Sequence, residues 1–356
     1  MITFYPGPSK VYPEVPQYVR EAYDAGVLSI NHRSLEFMEI FQRVTQLVKE
    51  KLDVPDSYTV VFCSSATECW EIVSQSLVRN RALHIFNGAF GEKWYRYARH
   101  LTSVDDLGFG REELPDITKI SMDGADLIAV THNETSNGTA LPSEWIQELR
   151  KKFPDTIIAA DATSSMAGVI LPWEAADVWY ASVQKCFGLP AGLAVMILSP
   201  QAIERVQAVG EKGRYNSLLN IYDQAQRHQT THTPYVLGIY LLMRTLENRE
   251  SISAINDQLE GRFNEWIKML QNLSYVKLIA DNNKVQSKTV IPFQAEPKTI
   301  NQLRQQAKGK GITLGNGYGN LKATTLRIAN FPAITNAEIR QLMDFFANFA
   351  PENLSH

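Results

Sequence analysis

Between Tyr58 and Ser199 the chain alternates short apolar runs with longer amphipathic ones, and few folds accept that rhythm. YTVVFCS (58–64), ALHIF (82–86), DLIAVTH (126–132), TIIAADA (156–162), DVWYASVQK (177–185) and LAVMILS (193–199) read as buried strands. ATECWEIVSQSLV (66–78), GEKWYRYARHL (91–101) and SEWIQELRKKF (143–153) place apolar residues at helical spacing. Strands that alternate with helices predict an α/β fold with a mainly parallel sheet and helices on both faces. In such sheets ligands collect at the carboxyl ends of the strands.

An earlier amphipathic stretch, SLEFMEIFQRVTQLVKEKL (34–52), also reads as a helix, and residues 1–30 read as an irregular Pro/Gly-rich segment over the main body. After about residue 250 the pattern changes. A long helix (251–272) is followed by VKLIA, KTVIPF, TINQLRQQAKGK, TTLRIA and NAEIRQLMDFFANF, which read as two strands, a helix, a strand and a helix. The expectation is a large domain over 1–250, with 1–30 packing near its site, and a smaller C-terminal α+β domain over 251–356. A length of 356 residues suits two domains.

The formal net charge of −3, without a long basic run, argues against nucleic acid as a partner. No apolar stretch reaches membrane-spanning length, and MITFYPGPSK has no secretory pattern. Cys63, Cys69 and Cys186 are odd in number and widely spaced, which suggests neither disulfides nor a metal site. A cytoplasmic protein without membrane partners is expected.

Chemistry-bearing residues gather just past the strand ends. Asp161 closes one apolar run and Lys185 closes another. Singly, these are a turn residue and a solvated strand end. Together they are the two groups that pyridoxal 5'-phosphate chemistry needs most: an amine to form a Schiff base and a carboxylate to keep a pyridine nitrogen protonated. Ser65, Ala66 and Thr67 open a helix after a strand, where N–H groups can cradle a phosphate, although Ser65 is as good an N-cap. Phe90 offers a ring for stacking, and Asn133 and Thr135 offer polar side chains. Thr233 stands at a capping position before the Pro234 helix start. His32 and Arg33 lie outside any core run, and Arg327 sits within a strand, where a guanidinium can take a carboxylate in two-pronged fashion.

Taken in order, these motifs resemble the class V aminotransferases, of fold type I, and within them most closely the phosphoserine aminotransferase family. FYPGPSKVYPEV, SINHRSLEF, NGAFGEKW, HNETSNG, ADATSS, SVQKCFGLPAG, THTPYVLGIYLL and LRIANFPA carry the resemblance from end to end. It implies a homodimeric aminotransferase with shared active sites and pyridoxal 5'-phosphate as cofactor. Lys185 would be the Schiff-base lysine, Asp161 the partner of the pyridine nitrogen, and Phe90 the stacking ring where the family usually has Trp. Ser65, Ala66, Thr67, Thr135 and Gln184 would contact the cofactor. His232 and Thr233 would reach the neighbouring subunit's cofactor phosphate, with His232 standing where Asn is usual. Arg327 would bind the substrate α-carboxylate, and His32 and Arg33 its distal anion. The implied reaction is transamination between phosphoserine and 2-oxoglutarate in serine biosynthesis. Serine– or alanine–glyoxylate (or pyruvate) transamination is the alternative, followed by a non-catalytic pyridoxal-phosphate-binding protein. A cysteine desulfurase would need a Cys beyond Cys186 and a His directly before the lysine, where Gln184 stands.

Overall fold

The computed structural model describes residues 2–351. Ile2–Phe4 forms strand β1, followed by helices α1 (Val15–Asp24) and α2 (Leu35–Leu52). Next come β2 (Thr59–Cys63), α3 (Ala66–Leu77), β3 (Arg81–Phe86), α4 (Ala89–Ala98), β4 (Ser103–Gly108) and β5 (Leu127–Thr131). A small hairpin, β6 (Asn133–Glu134) and β7 (Thr139–Ala140), precedes α5 (Ser143–Lys152), β8 (Ile157–Asp161), β9 (Val178–Ser182) and β10 (Ala194–Leu198). Helices α6 (Pro200–Val209), α7 (Leu218–Ala225), α8 (Val236–Glu247) and α9 (Ile252–Gln271) lead to the C-terminal part. That part holds β11 (Lys277–Leu278), β12 (Val290–Gln294), α10 (Pro297–Gly309), β13 (Ile312–Asn316), β14 (Thr325–Ala329) and α11 (Asn336–Ala347).

The larger sheet runs β2-β10-β9-β8-β5-β3-β4. The pairs from β9 to β4 are parallel, and β10 opposes both β9 and β2. Six strands therefore share one direction. Every residue of β5, β8, β9 and β10 is buried, so both faces of the sheet are covered there. The expected mainly parallel α/β fold is what forms.

The N-terminal segment departs from expectation. It is not an irregular cover: β1 pairs in parallel with β13, at the edge of a second sheet ordered β1-β13-β14-β12-β11. Three residues carry too little pattern to read as a strand, but pairing satisfies their backbone. Helix α1 follows, burying Val15, Tyr18 and Ala22 along one stripe. The chain thus crosses from the second sheet to the first within its opening residues, and the connecting turn passes over the carboxyl ends of the parallel strands.

Candidate active site

Those strand ends surround a cavity of 440 Å³. Tyr5–Pro8 line one side, Ala66, Thr67 and Trp70 of α3 another, and Asn316–Gly319, Lys322 and Arg327 of the C-terminal sheet a third. Of the residues singled out in the sequence, Ala66, Thr67, Phe90, Thr135, Asp161, Gln184, Lys185 and Arg327 line this one space.

Asp161 ends β8 and is buried. Its Oδ2 accepts from Trp70 Nε1 at 3.0 Å and its Oδ1 from the Thr163 N–H at 2.9 Å. Two donors from separate segments aim the carboxylate. Lys185 lies in the turn after β9, where the Gly188 N–H donates to its carbonyl. Its ammonium is buried and donates to Thr135 Oγ1 and Ser164 Oγ, both at 2.8 Å. Burial pushes it down to about 8, against the opposing fields of Asp161 and Glu134. An amine at that value is substantially neutral, hence nucleophilic, near physiological pH. Gly7 presses against it. With φ at +153°, a Cβ there would meet Lys185 Cε at 3.0 Å, so glycine serves both the backbone and the lysine's space.

Phe90 follows β3, its ring centroid 5.3 Å from Lys185 Nζ. It lies in the first turn of α4, which is fixed by Glu134, a buried carboxylate that accepts from the N–H groups of Phe90 and Gly91 and also from that of Ser136. A Cβ on Gly88 would fall 2.3 Å from Glu134 Cγ, so glycine is needed for that approach. Tyr318 stacks beside Phe90, centroids 5.3 Å apart, and accepts from Lys93 Nζ at 2.6 Å. Arg327 lies on β14, 5.7 Å from the Tyr318 ring. Buried in a strand, it makes no ion pair with a carboxylate among the described residues. Its Nε donates to the Asn316 carbonyl and its Nη1 to the Thr135 carbonyl. Lys185, Lys322 and Arg327 face a cavity in which Asp161 is the one carboxylate among the described lining residues.

The remaining candidates stand elsewhere in this chain. Ser65 is not part of the lining: its hydroxyl caps α3, accepting from the Glu68 N–H. Thr233 is not the cap of α8, which starts at Val236 with Tyr235 before it. His232 and Thr233 are outside the cavity. So are His32 and Arg33, whose guanidinium donates to Gln224 and Gln229. His32 instead sits beside Arg33 and His232: burial and these two neighbours hold the His32 imidazole below its usual range. Sequence reading missed Tyr318, Glu134, Trp70, Thr163 and Ser164. Tyr318 had a signal, an aromatic between two glycines in GNGYGN; the others acquire their roles only through contacts distant in sequence.

The family model described as "Aminotransferase class-V" matches residues 3–330. The chain belongs to this family. It is similar to the phosphoserine aminotransferase of Rhodococcus opacus, 27% identical over 351 residues that cover 94% of this chain and 91% of the relative. A solved phosphoserine aminotransferase from Cytophaga hutchinsonii is 32% identical, with a TM-score of 0.92, covering 97% of this chain and 98% of that one. An alanine–glyoxylate aminotransferase from Nostoc sp. shares the fold at 18% identity, with a TM-score of 0.83 over 97% and 94%. The fold is thus that of the fold type I aminotransferases, the protein is an aminotransferase, and its cofactor is pyridoxal 5'-phosphate.

The cavity fits that cofactor. An amine and an oriented carboxylate line the same space. Thr67 stands exposed in the first turn of α3 and lines the cavity, and a helix terminus there favours a phosphate. The buried Gln184 Oε1 and Thr163 Oγ1, both of lining residues, are unpartnered. No helix among the described residues is long and apolar enough to cross a membrane.

Proposed function

We propose that this aminotransferase exchanges the amino group between phosphoserine and 2-oxoglutarate, as a homodimer with shared active sites, in cytoplasmic serine biosynthesis. The observation that carries the reading is the convergence of Lys185, Asp161 and Arg327 on one cavity rich in cationic side chains. The phosphoserine aminotransferases to which the chain is similar support the choice of substrate. The three free, buried cysteines suit a reducing compartment.

Bound pyridoxal phosphate supplies an electron sink that makes the α-proton of an amino acid removable. The chain's residues do the rest. Lys185 would hold the cofactor aldehyde and, with its amine free, would carry the proton at the substrate Cα. Asp161 keeps a proton on the pyridine nitrogen. Phe90 would stack on the ring, Thr135 would contact the cofactor, and Ala66, Thr67 and Gln184 would hold its phosphate, with Ser65 shaping that helix start. Arg327 takes the substrate α-carboxylate. His32 and Arg33 of a second copy take the distal anion, and His232 and Thr233 of that copy reach the phosphate. Two cationic anchors at opposite ends of a dianionic substrate fix which Cα bond stands across the ring.

The substrate is tested by comparing kcat/KM for phosphoserine, serine and alanine. Phosphoserine should lead, and Arg33→Ala should lower its kcat/KM by about 30-fold or more while changing that for alanine less than about threefold. Faster turnover of alanine or serine with glyoxylate would replace this substrate assignment. Sharing between subunits has its own test. Lys185→Ala and Arg33→Ala chains, each impaired alone, should recover up to about a quarter of the wild-type activity when unfolded and refolded together, since half the dimers then hold one intact site. No recovery beyond the sum of the separate variants would exclude shared sites.

A further inference from the structure

We infer that Ser164 is a positioning residue that acts through Lys185, fixing the direction in which the amine presents its lone pair or its transferable proton. The inference rests on the reading of Lys185 as the proton carrier.

Ser164 follows Asp161 by three residues and is fully buried. Its own hydroxyl does not line the cavity. Its carbonyl accepts from Asn133 Nδ2 at 2.8 Å and Thr289 Oγ1 at 2.6 Å, and meets Cys186 Sγ at 3.4 Å. Three donors on one oxygen, from three segments, hold this backbone. Asn133 ties the arrangement together by donating also to Thr289 Oγ1 at 2.6 Å. Thr289 directly precedes β12, so the C-terminal sheet helps hold a residue beneath the lysine. The Ser164 hydroxyl is left to receive Lys185 Nζ and to contact the Thr135 hydroxyl closely.

The consequence is stereochemical. A neutral amine has two N–H bonds and one lone pair. Thr135, on the cavity wall, and Ser164, behind it, accept both N–H bonds. The remaining tetrahedral direction is then set by the protein, and a proton taken up there is the one not held by a hydroxyl. The titratable groups that act on this amine are Asp161 of β8, Glu134 of β6, the adjacent Cys186, whose thiol burial keeps protonated, and Arg327 of β14. Ser164 adds an uncharged acceptor, which favours the ammonium over the amine.

Ser164→Ala removes that acceptor with little change in volume. In the cofactor-free protein, labelling of Lys185 by an amine-reactive reagent, read by mass spectrometry against pH, should have its midpoint near 8 in the wild type. In Ser164→Ala the midpoint should fall by roughly half a unit to one unit. With cofactor and substrate, kcat should fall about tenfold and KM stay within about twofold, since ground-state binding is untouched. Ser164→Thr, which keeps the hydroxyl, should recover both readings; if the extra methyl prevents folding, the Ser164→Ala midpoint decides. An unmoved midpoint overturns the inference, whatever kcat does, because a merely structural residue would leave it in place. Failure of the underlying reading looks different: Lys185→Ala would keep full activity. An inactive Lys185→Ala beside a wild-type Ser164→Ala would remove this inference alone.

Discussion

Replacing Lys185 with alanine is expected to abolish the near-visible absorption of covalently held cofactor and to lower kcat by about 10⁴-fold or more, because a covalent anchor and a general acid–base are lost together. The fold should survive. The lysine makes two hydrogen bonds to hydroxyls that also contact each other, so its removal leaves Thr135 and Ser164 paired. Removing a buried amine also removes a desolvation penalty. The pH dependence gives a second reading of the same residue. In the intact protein, covalent capture of pyridoxal phosphate should quicken roughly tenfold per unit up to pH 8 and then level off, as an amine at about 8 requires. An ordinary lysine would continue to gain up to its usual value of 10.5. The sign for stability follows: the folded value is depressed, so the unfolded chain binds more protons between the two values. The cofactor-free protein should therefore gain stability as pH rises across that window. Retention of the absorption band in Lys185→Ala would move the anchor elsewhere.

Asp161→Asn should be the next most damaging change, with kcat lowered on the order of 10³-fold. Size is kept, but the charge that holds the pyridine proton is gone. One amide oxygen also replaces two carboxylate oxygens, so Trp70 Nε1 and the Thr163 N–H compete for a single good acceptor. Cofactor should still bind through Lys185, which separates this variant from Lys185→Ala: the band persists while turnover fails. A kcat within tenfold of wild type would leave Asp161 a structural residue.

Much of this arrangement can be read from the chain, for a physical reason. Strands covered on both faces must be apolar at every position, and β5, β8, β9 and β10 announce themselves that way. β4 does not. It is the outer strand of the sheet, reads SVDDLG, and uses Asp105 to pair with Arg81 of β3. Helix α1 shows only three buried residues behind a proline-rich start. Asp161 and Lys185 were legible because polar groups that end apolar runs break the pattern. Ser164 and Glu134 broke nothing. Both sit among other small or polar residues, and what they do depends on partners such as Thr289 and Phe90 that sequence order does not bring near. Arg33 was visible as a residue, but its absence from this chain's own cavity could be learned only from the fold.

The pairing of β1 with β13 has a consequence for how the protein is made. Ile2, synthesised long before Ile312, must wait for it before its backbone is satisfied. Until then nothing in the second sheet holds Tyr5–Pro8 over the lysine, although the large parallel sheet is complete once Leu198 has left the ribosome. Closing so long a loop costs only slightly more entropy than closing a shorter one, but the closure comes late. A nascent chain therefore carries a finished sheet and an unfinished catalytic wall for more than a hundred residues of synthesis.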